Sequence, residues 1–575
     1  MEGLKLENRF GMQYTMNNRD YINEPFYSSS KGQGGLVSKT KNQYLNYTVF
    51  NGLRYNTAFG DSNLEVLVAH EATAWERNYM NASMYKLVEP FGREFRNAVI
   101  SNPPDSYTQD YTLESYFGRA QYSIQDKYFI DVTARRDGSS RFINEKWGDF
   151  GSVGFSWSLS DEAFFQNQSI FSSLKLRTSY GLLGEQRVGY YPGYDLFNVT
   201  NLNDNISLSF ASKGNPDLTW ESSKQFGLGL DFSVGTFLSA SIDYFNKSTD
   251  DLIFDRRVGP SVGYASIQVN DGALENNGLE FDLNFHLLEK EDFKLDLRII
   301  GASIANELTR MPIDPATGEE KLINDTGYFA QAKGRSLRDF SIREWAGVNP
   351  DNGAGQWVVN YVDDNSNGEF DSGEEIQSLY DYKINNPDAV IAEGITEVYT
   401  ESTKKFVDKS SYPDISGSFS LNAEYKDFDL TALFLYSLGG YGYDFAYSRL
   451  MNNVRQNADS NLHKDIADRW QNPGDQTDVP RLDLNTQINQ AGTSTRFLTS
   501  TDYLSLSSLR LGYNIPADEF GDSGISSVRL FLTGDNLLMF SKRKGYNPTT
   551  ALTGNTDWYT YNPLSTITLG ANINF

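Results

Sequence analysis

Apolar and polar residues alternate with a period of two along most of this chain, as in β-strands that have one apolar face. In the segment 152–159 the apolar positions are Val153, Phe155, Trp157 and Leu159, and the positions between them are Ser152, Gly154, Ser156 and Ser158. The same pattern predicts about sixteen strands. They lie near 4–15, 43–55, 63–76, 112–124, 127–138, 150–160, 173–183, 221–233, 236–248, 277–288, 293–306, 415–426, 428–441, 503–515, 526–539 and 564–575.

The connections between these strands alternate between short and long. Short ones are 234–235, 289–292 and 426–427, and long ones are 185–216, 309–410, 445–500 and 541–562. Many strands reach about ten residues, the length that crosses a bilayer at a tilt. Short turns on one side and long loops on the other are typical of outer-membrane barrels. We therefore predict an all-β fold, a transmembrane antiparallel β-barrel with short periplasmic turns and long extracellular loops.

This prediction assigns the two sets of residues in 152–159 to opposite environments. The apolar set should face lipid, and the small polar set should face the barrel lumen. The strand 564–575 should be the last of the barrel, with Phe575 at the periplasmic rim. Because a barrel in lipid leaves no open edge, 564–575 must pair either with 4–15 or with another polypeptide. We favour the second.

Composition narrows the functional classes. Hydrophobic residues make up 39% of the chain, the mean hydropathy is -0.50, and no apolar run is long enough for a transmembrane helix. The absence of cysteine excludes disulfides and thiolate metal sites. A net charge of -25 argues against nucleic-acid binding, which needs a basic surface. The three histidines are far apart in sequence and no hydrolase or nucleotide-binding motif is present, so we expect no enzyme activity.

One loop matches a calcium-binding pattern. The segment 363–374 fits D-x-[DN]-x-[DN]-G-x5-E, in which glycine permits a sharp turn and oxygen atoms surround the cation. The predicted Ca²⁺ ligands are Asp363, Asn365, Asn367, the carbonyl of Glu369 and the carboxylate of Glu374. The preceding segment 357–362 predicts a strand rather than a helix, so this would be a calcium-type loop on a β scaffold. The alternative is an acidic loop without an ion.

Aromatic residues in the long loops are candidates for substrate binding. Their faces, next to Asp and Asn side chains, suit stacking against glycans or peptides. The candidates are Tyr191, Tyr194, Trp345, Trp357, Tyr441, Trp470 and Trp558. The alternative is that these residues pack the loops or form an interfacial girdle.

Several segments together resemble one family, the SusC/RagA-like TonB-dependent transporters of the bacterial outer membrane. They occur in the order found in that family and include ARRDGSSRF (134–142), WGDFGSVGFSWSLSDEAFF (147–165), SLKLRTSYGLLGEQ (173–186), GRSLRDFSIREWAGVNPDNG (334–353), YVDDNSNGEFDSGEE (361–375) and YLSLSSLRLGYNIP (503–516). The resemblance implies an outer-membrane location, a 22-stranded barrel with a plug, and TonB-driven uptake of oligosaccharide or peptide. It also implies a SusD-like surface lipoprotein as partner.

The sixteen predicted strands are fewer than the resemblance implies. We therefore expect residues 1–575 to be the C-terminal part of a transporter barrel, with 309–410 as a long extracellular loop and with the plug, signal peptide and TonB box absent. Two alternatives remain at this point. One is a passive porin-like channel of about sixteen strands, and the other is a surface glycan- or peptide-binding β module.

Overall fold

A computed structural model describes residues 3–575 except 166, 315–316, 453–460, 483–491, 522–523 and 551–562. Its main feature is one large antiparallel sheet. The sixteen principal strands are β1 (Leu4–Asn23), β2 (Leu36–Phe59), β3 (Ser62–Leu87), β4 (Asp105–Ile124), β5 (Tyr128–Ser139), β6 (Trp147–Ser158), β7 (Phe171–Glu185), β8 (Glu221–Val234), β9 (Leu238–Asp250), β10 (Ala273–Lys290), β11 (Phe293–Arg310), β12 (Ile415–Tyr425), β13 (Phe428–Leu438), β14 (Tyr503–Ile515), β15 (Ser527–Ser541) and β16 (Thr566–Asn574).

Each principal strand pairs with the next one along the chain, so the sheet is a simple meander. All sixteen predicted strands are confirmed. The first three are longer than predicted, with 20, 24 and 26 residues. Alternation marks only the part of a strand that has an apolar face, whereas the hydrogen-bonded ladder continues between polar residues such as Asn17 and Asn42.

The connections confirm the predicted asymmetry, because antiparallel pairing places alternate connections at opposite ends of the sheet. The short ones at one end are 60–61, 125–127, 159–170, 235–237, 291–292, 426–427 and 516–526. Those at the other end are 24–35, 88–104, 140–146, 186–220, 251–272, 311–414, 439–502 and 542–565. The four longest connections all belong to the second group, which is the end predicted to be extracellular.

The longer connections contain small elements of their own. The helices are α1 (Leu379–Asn385) and α2 (Phe445–Leu450). The short strands are Ala98–Ser101, Leu196–Leu202, Asn205–Ser212, Ile253–Arg257, Ser266–Asn270, Asn324–Asp325, Ala330–Gln331, Asp339–Arg343, Trp345–Val348, Gly355–Tyr361, Ala392–Thr396, Lys404–Ser410, Tyr441–Tyr443 and Leu498–Ser500. Neither of these helices, nor any 3-10 helix in the described ranges, is long and apolar enough to span a membrane.

One face of the sheet carries a continuous apolar row. Neighbouring strands place side chains on the same face when their residues are paired, and one such row is Leu4, Tyr55, Val66, Ala120, Val132, Val153, Tyr180 and Phe226. Val132, Val153 and Tyr180 remain 46%, 47% and 50% exposed. A soluble sheet would bury such a row, whereas a barrel presents it to lipid.

The opposite face is polar and concave. A cavity of about 760 Å³ near the short-turn end is lined by residues of every strand from β2 to β9. Eight strands laid flat would span roughly 35 Å, so one cavity of this size touches all of them only because the sheet curves. Arg177 lies in its wall and forms ion pairs with Asp231 at 2.7 Å and with Asp243 at 2.9 Å. Charged pairs of this kind suit a hydrated lumen.

The two edges of the sheet, β1 and β16, are not joined. Within the described residues no ladder connects Leu4–Asn23 to Thr566–Asn574. The edge strand β16 is highly exposed, with Ile567 at 74% and Leu569 at 80%. The closed sixteen-stranded ring of the porin alternative is therefore not what this chain forms by itself.

Charge placed on the two faces of β6 should have different costs. Val153→Arg should destabilise the chain folded in lipid vesicles by about 2–4 kcal/mol, because the guanidinium would enter hydrocarbon. Ser152→Arg changes the adjacent residue on the polar face and should cost much less. Urea titration of both variants in vesicles measures the difference. Equal costs would contradict the assignment of the apolar face to lipid.

Candidate functional site

The two longest loops fold together into a compact layer with its own core. Residues from 311–414 and from 439–502 meet there although they are far apart in sequence. The buried core consists of Phe329, Phe340, Ile342, Tyr443, Met451, Ile466 and Phe497. The following loop joins the same layer through Arg543, which pairs with Asp444 at 3.0 Å and lies 3.7 Å from the ring centre of Tyr447. A hydrophobic core of this size holds the loops in one defined arrangement.

Trp357, one of the candidates for stacking against substrate, takes the alternative role of packing within the loops. Its side chain has no exposed surface. The ring of Trp345 lies against it edge-on at 5.3 Å, and that of Tyr399 does the same at 5.5 Å. Trp357 lies in Gly355–Tyr361, the middle strand of a small three-stranded sheet. Its aromatic surface is used inside the loop layer and no ligand can reach it in this arrangement.

Trp345 and Trp470 are half-buried and hold loop segments together. The guanidinium of Arg496 lies 4.8 Å from the ring centre of Trp345, and burial lowers the pKa of Arg496 to about 10. The indole N–H of Trp470 donates to the carbonyl of Pro350 at 2.8 Å. The same ring occupies the space beside Gly353, which has a φ of +74°, and a Cβ there would lie 2.4 Å from it.

Three of the predicted aromatic residues line cavities. Tyr191 and Tyr194 share a cavity of about 370 Å³ between the loops 186–220 and 251–272. Tyr191 donates a hydrogen bond to the Asp110 carboxylate at 2.6 Å, and burial together with that bond raises the pKa of Tyr191. Tyr441 lines a different cavity. Trp558, the last predicted residue, lies outside the described residues.

An aromatic contact beside the cavity of Tyr191 and Tyr194 was not predicted from the sequence. Tyr190 stacks on Trp75 of β3 with ring centres 5.0 Å apart and planes at 7°. Together with the bond from Tyr191 to Asp110 on β4, it fixes the loop 186–220 to the wall. Adjacent tyrosines in the sequence gave no indication of which strands they would contact.

The predicted calcium loop is closed by its own side chains. The Asp363 carboxylate accepts from the main-chain N–H of Asn367 at 3.1 Å and from that of Gly368 at 2.8 Å. The two carboxylate oxygens of Glu374 accept from the N–H groups of Asp364 and Asp371. The bond from the Asp364 N–H brings the Glu374 carboxylate back to the start of the loop, beside the residue that follows Asp363. Carboxylate, amide and carbonyl oxygens are the ligand atoms that Ca²⁺ prefers.

Asp371 was not among the predicted ligands of this loop, although its side chain takes part in closing it. One of its carboxylate oxygens accepts from the side-chain amides of both Asn365 and Asn367, at 2.7 and 2.8 Å. It occupies the ninth position of the twelve-residue loop, where calcium loops often bind the ion through water. That position could have identified Asp371 from the sequence. Among the described residues no group of three His, Cys, Asp or Glu side chains has metal-binding geometry. The predicted Ca²⁺ ligands would not form such a group, because they consist largely of amide and main-chain oxygens.

A family model described as the β-barrel of TonB-dependent receptor-like proteins matches residues 2–388. The chain belongs to the TonB-dependent receptor family. Members of this family are outer-membrane receptors and transporters rather than enzymes, so the chain is an outer-membrane β-barrel protein. The resemblance to SusC/RagA-like receptors is confirmed by the similarities described next.

Two curated receptors are similar to this chain over nearly its whole length. TonB-dependent receptor P3 of Formosa agariphila is 27% identical, with 100% of this chain and 57% of that protein covered. TonB-dependent receptor SusC of Bacteroides thetaiotaomicron is 26% identical, with 95% and 52% covered. Among solved structures, that of the RagAB peptide transporter matches with a TM-score of 0.82 and 26% identity, over 99% of this chain and 60% of that one. The chain thus spans slightly more than half the length of these receptors.

Removing Trp357 should open the loop layer of this receptor. Trp357→Ala should cost about 3–5 kcal/mol, because it leaves a cavity in a packed core. Tyr194→Ala is the matched control, since Tyr194 is 55% exposed and its loss should have little effect. Limited proteolysis of the folded chain measures the difference as faster cleavage within 311–414 in the first variant alone. Unchanged cleavage in both would contradict a structural role for Trp357.

Proposed function

We propose that this chain forms barrel wall and extracellular loops of a nutrient importer. The importer takes up oligosaccharide or peptide, is driven through the TonB system, and works with a SusD-like surface lipoprotein. The supporting observation is the match to the RagAB peptide transporter, which covers 99% of this chain. That overlap extends through both the wall and the folded loop layer, the parts that a molecule entering from outside meets first. The similarity to SusC supports the same proposal.

The unpaired edges bear on how the wall is completed. In a bilayer each backbone N–H or C=O group without a partner costs several kcal/mol. The edge strands β1 and β16 have no ladder to each other within the described residues. We therefore propose that further strands from another polypeptide segment close the barrel. This proposal disfavours the passive sixteen-stranded channel, which would need β1 and β16 to pair directly.

Active import and passive diffusion respond differently to loss of the proton-motive force. Uptake of fluorescently labelled tripeptides and trisaccharides should be measured in the source bacterium, in a strain lacking the region that encodes these residues, and after its restoration. Uptake of at least one probe should require the region and should stop when an ionophore collapses the proton-motive force. Uptake that requires the region but continues with the ionophore would contradict the importer and support a passive channel.

We also propose that the segment 363–374 binds one Ca²⁺ ion. The ligands would be Asp363, Asn365, Asn367, the carbonyl of Glu369 and Glu374, with Asp371 acting through water. The segment follows directly on Gly355–Tyr361, whose strand belongs to the loop layer. The ion would stabilise this part of the extracellular surface rather than take part in chemistry.

Calorimetry on the folded chain should detect one Ca²⁺ site. Asp363→Ala should weaken Ca²⁺ binding at least tenfold, because it removes a ligand and the acceptor for two main-chain N–H groups. Asp388→Ala is the control, since it removes an exposed carboxylate of the same long loop outside the segment. Absence of binding heat in the unsubstituted chain would contradict the site.

A further inference from the structure

A cleft lined by charged residues, with the basic ones gathered in its larger part, lies in the loop layer. Two adjoining cavities of about 620 and 460 Å³ share Arg335, Asp408, Lys409 and Tyr441 in their walls and so form one continuous cleft. Its larger part carries the basic side chains of Arg335, Lys383, Lys405 and Lys409. These residues come from separate elements, since Lys383 is on α1 and Lys405 and Lys409 are on Lys404–Ser410. Only the folding of the loops brings them together.

The larger part of the cleft is richer in basic residues than the chain as a whole, whereas the smaller part adds the carboxylates of Asp339 and Asp414. The whole chain has 75 acidic and 50 basic residues. The larger cavity reverses this ratio, because its walls carry four basic residues and only two acidic ones, Glu344 and Asp408. Cations gathered in a concave site raise the local concentration of anions, and low-dielectric walls strengthen the effect.

Aromatic rings hold two of these cations in place. The guanidinium of Arg335 lies 4.7 Å from the ring centre of Phe406, and the ammonium of Lys409 lies 4.6 Å from that of Tyr441. The ring of Phe406 is itself fixed by an edge-on contact with Tyr380 at 5.3 Å. The positive groups are therefore positioned before any ligand arrives, which lowers the entropy lost on binding.

Two lysines remain available for an anion. Arg335 pairs with Asp408 at 2.9 Å, and Lys405 pairs with Glu344 at 2.6 Å. Lys383 and Lys409 are exposed, and neither forms an ion pair with a carboxylate within the described part of the chain. Two ammonium groups beside a third cation, Arg335, favour a ligand that carries more than one negative charge.

We propose that this cleft binds the carboxylate groups of an anionic oligomer, with Lys383 and Lys409 as the contacting cations. The proposal rests on the proposed importer function and adds the chemistry of the cargo. A uronic-acid oligosaccharide and an acidic peptide both offer carboxylates at successive positions, so they are the two sources to be distinguished.

The test is a binding titration on the full chain folded in detergent at low ionic strength. The probes are trigalacturonate, acetylated triaspartate amide and neutral maltotriose. At least one anionic probe should bind, and maltotriose should not. The double variant Lys383→Gln with Lys409→Gln should weaken that binding at least tenfold. The control variant Lys426→Gln with Lys464→Gln makes the same change in net charge at exposed sites outside the cleft, and it should alter binding less than twofold.

Each outcome has a defined meaning. Binding of trigalacturonate alone supports a saccharide source, binding of the peptide alone supports a peptide source, and binding of both supports general recognition of carboxylates. Failure of both anionic probes, equal binding of maltotriose, or equal losses in the two double variants would overturn the proposal. Lys383→Arg with Lys409→Arg keeps the charges and should retain binding, which separates loss of charge from misfolding. The titration measures binding without transport, so a negative result would overturn the cleft proposal and leave the importer proposal standing.

Discussion

Every backbone N–H and C=O group that enters the hydrocarbon of a membrane must find a partner within protein, and this requirement organises the whole chain. It explains why sixteen strands follow one another in an unbroken antiparallel ladder, with each paired to its neighbours in sequence. It also explains why irregular segments are kept at the ends of the sheet, where water or hydrogen bonds within the loops satisfy their polar groups. Side chains then divide by face, with the row through Val153 towards lipid and Arg177 with its two carboxylate partners in the lumen.

The wall could be predicted from the sequence because its determinants are local. The alternation of apolar and polar residues, as in Val153, Ser152 and their neighbours, is visible in the sequence itself. Pairing between consecutive strands needs no long-range information. The closed acidic turn at 363–374 followed from a local pattern in the same way, whereas its binding of Ca²⁺ stays a prediction. The loop layer could not be predicted, because Phe340 and Phe497 become neighbours only after two long connections fold together. Trp357 shows why: a tryptophan in a polar loop is equally compatible with stacking against a ligand and with a core that the sequence does not reveal.

The loop layer combines stability with an exposed, charged surface. Its apolar residues form a core that fixes the backbone, while two cations of the cleft, Arg335 and Lys409, lie over aromatic rings. Isolated surface charges contribute little, because water and flexible side chains weaken their interactions. Positioning Arg335 and Lys409 on rings reduces that flexibility. A rigid core beneath a charged cleft is the arrangement that lets loops recognise a ligand without first having to be ordered by it.

The unequal lengths of the strands have a consequence for the mouth of the barrel. At about 3.3 Å per residue and a tilt of about 40°, the 26 residues of β3 rise roughly 65 Å, whereas the 11 residues of β12 rise roughly 28 Å. A bilayer needs only the smaller height. The rim is therefore high along the first strands, where Trp75 supports Tyr190, and low along the later ones, where the folded loops rise instead. A protein bound across this mouth would contact β-sheet on one side and loops on the other, and these two surfaces differ in stiffness.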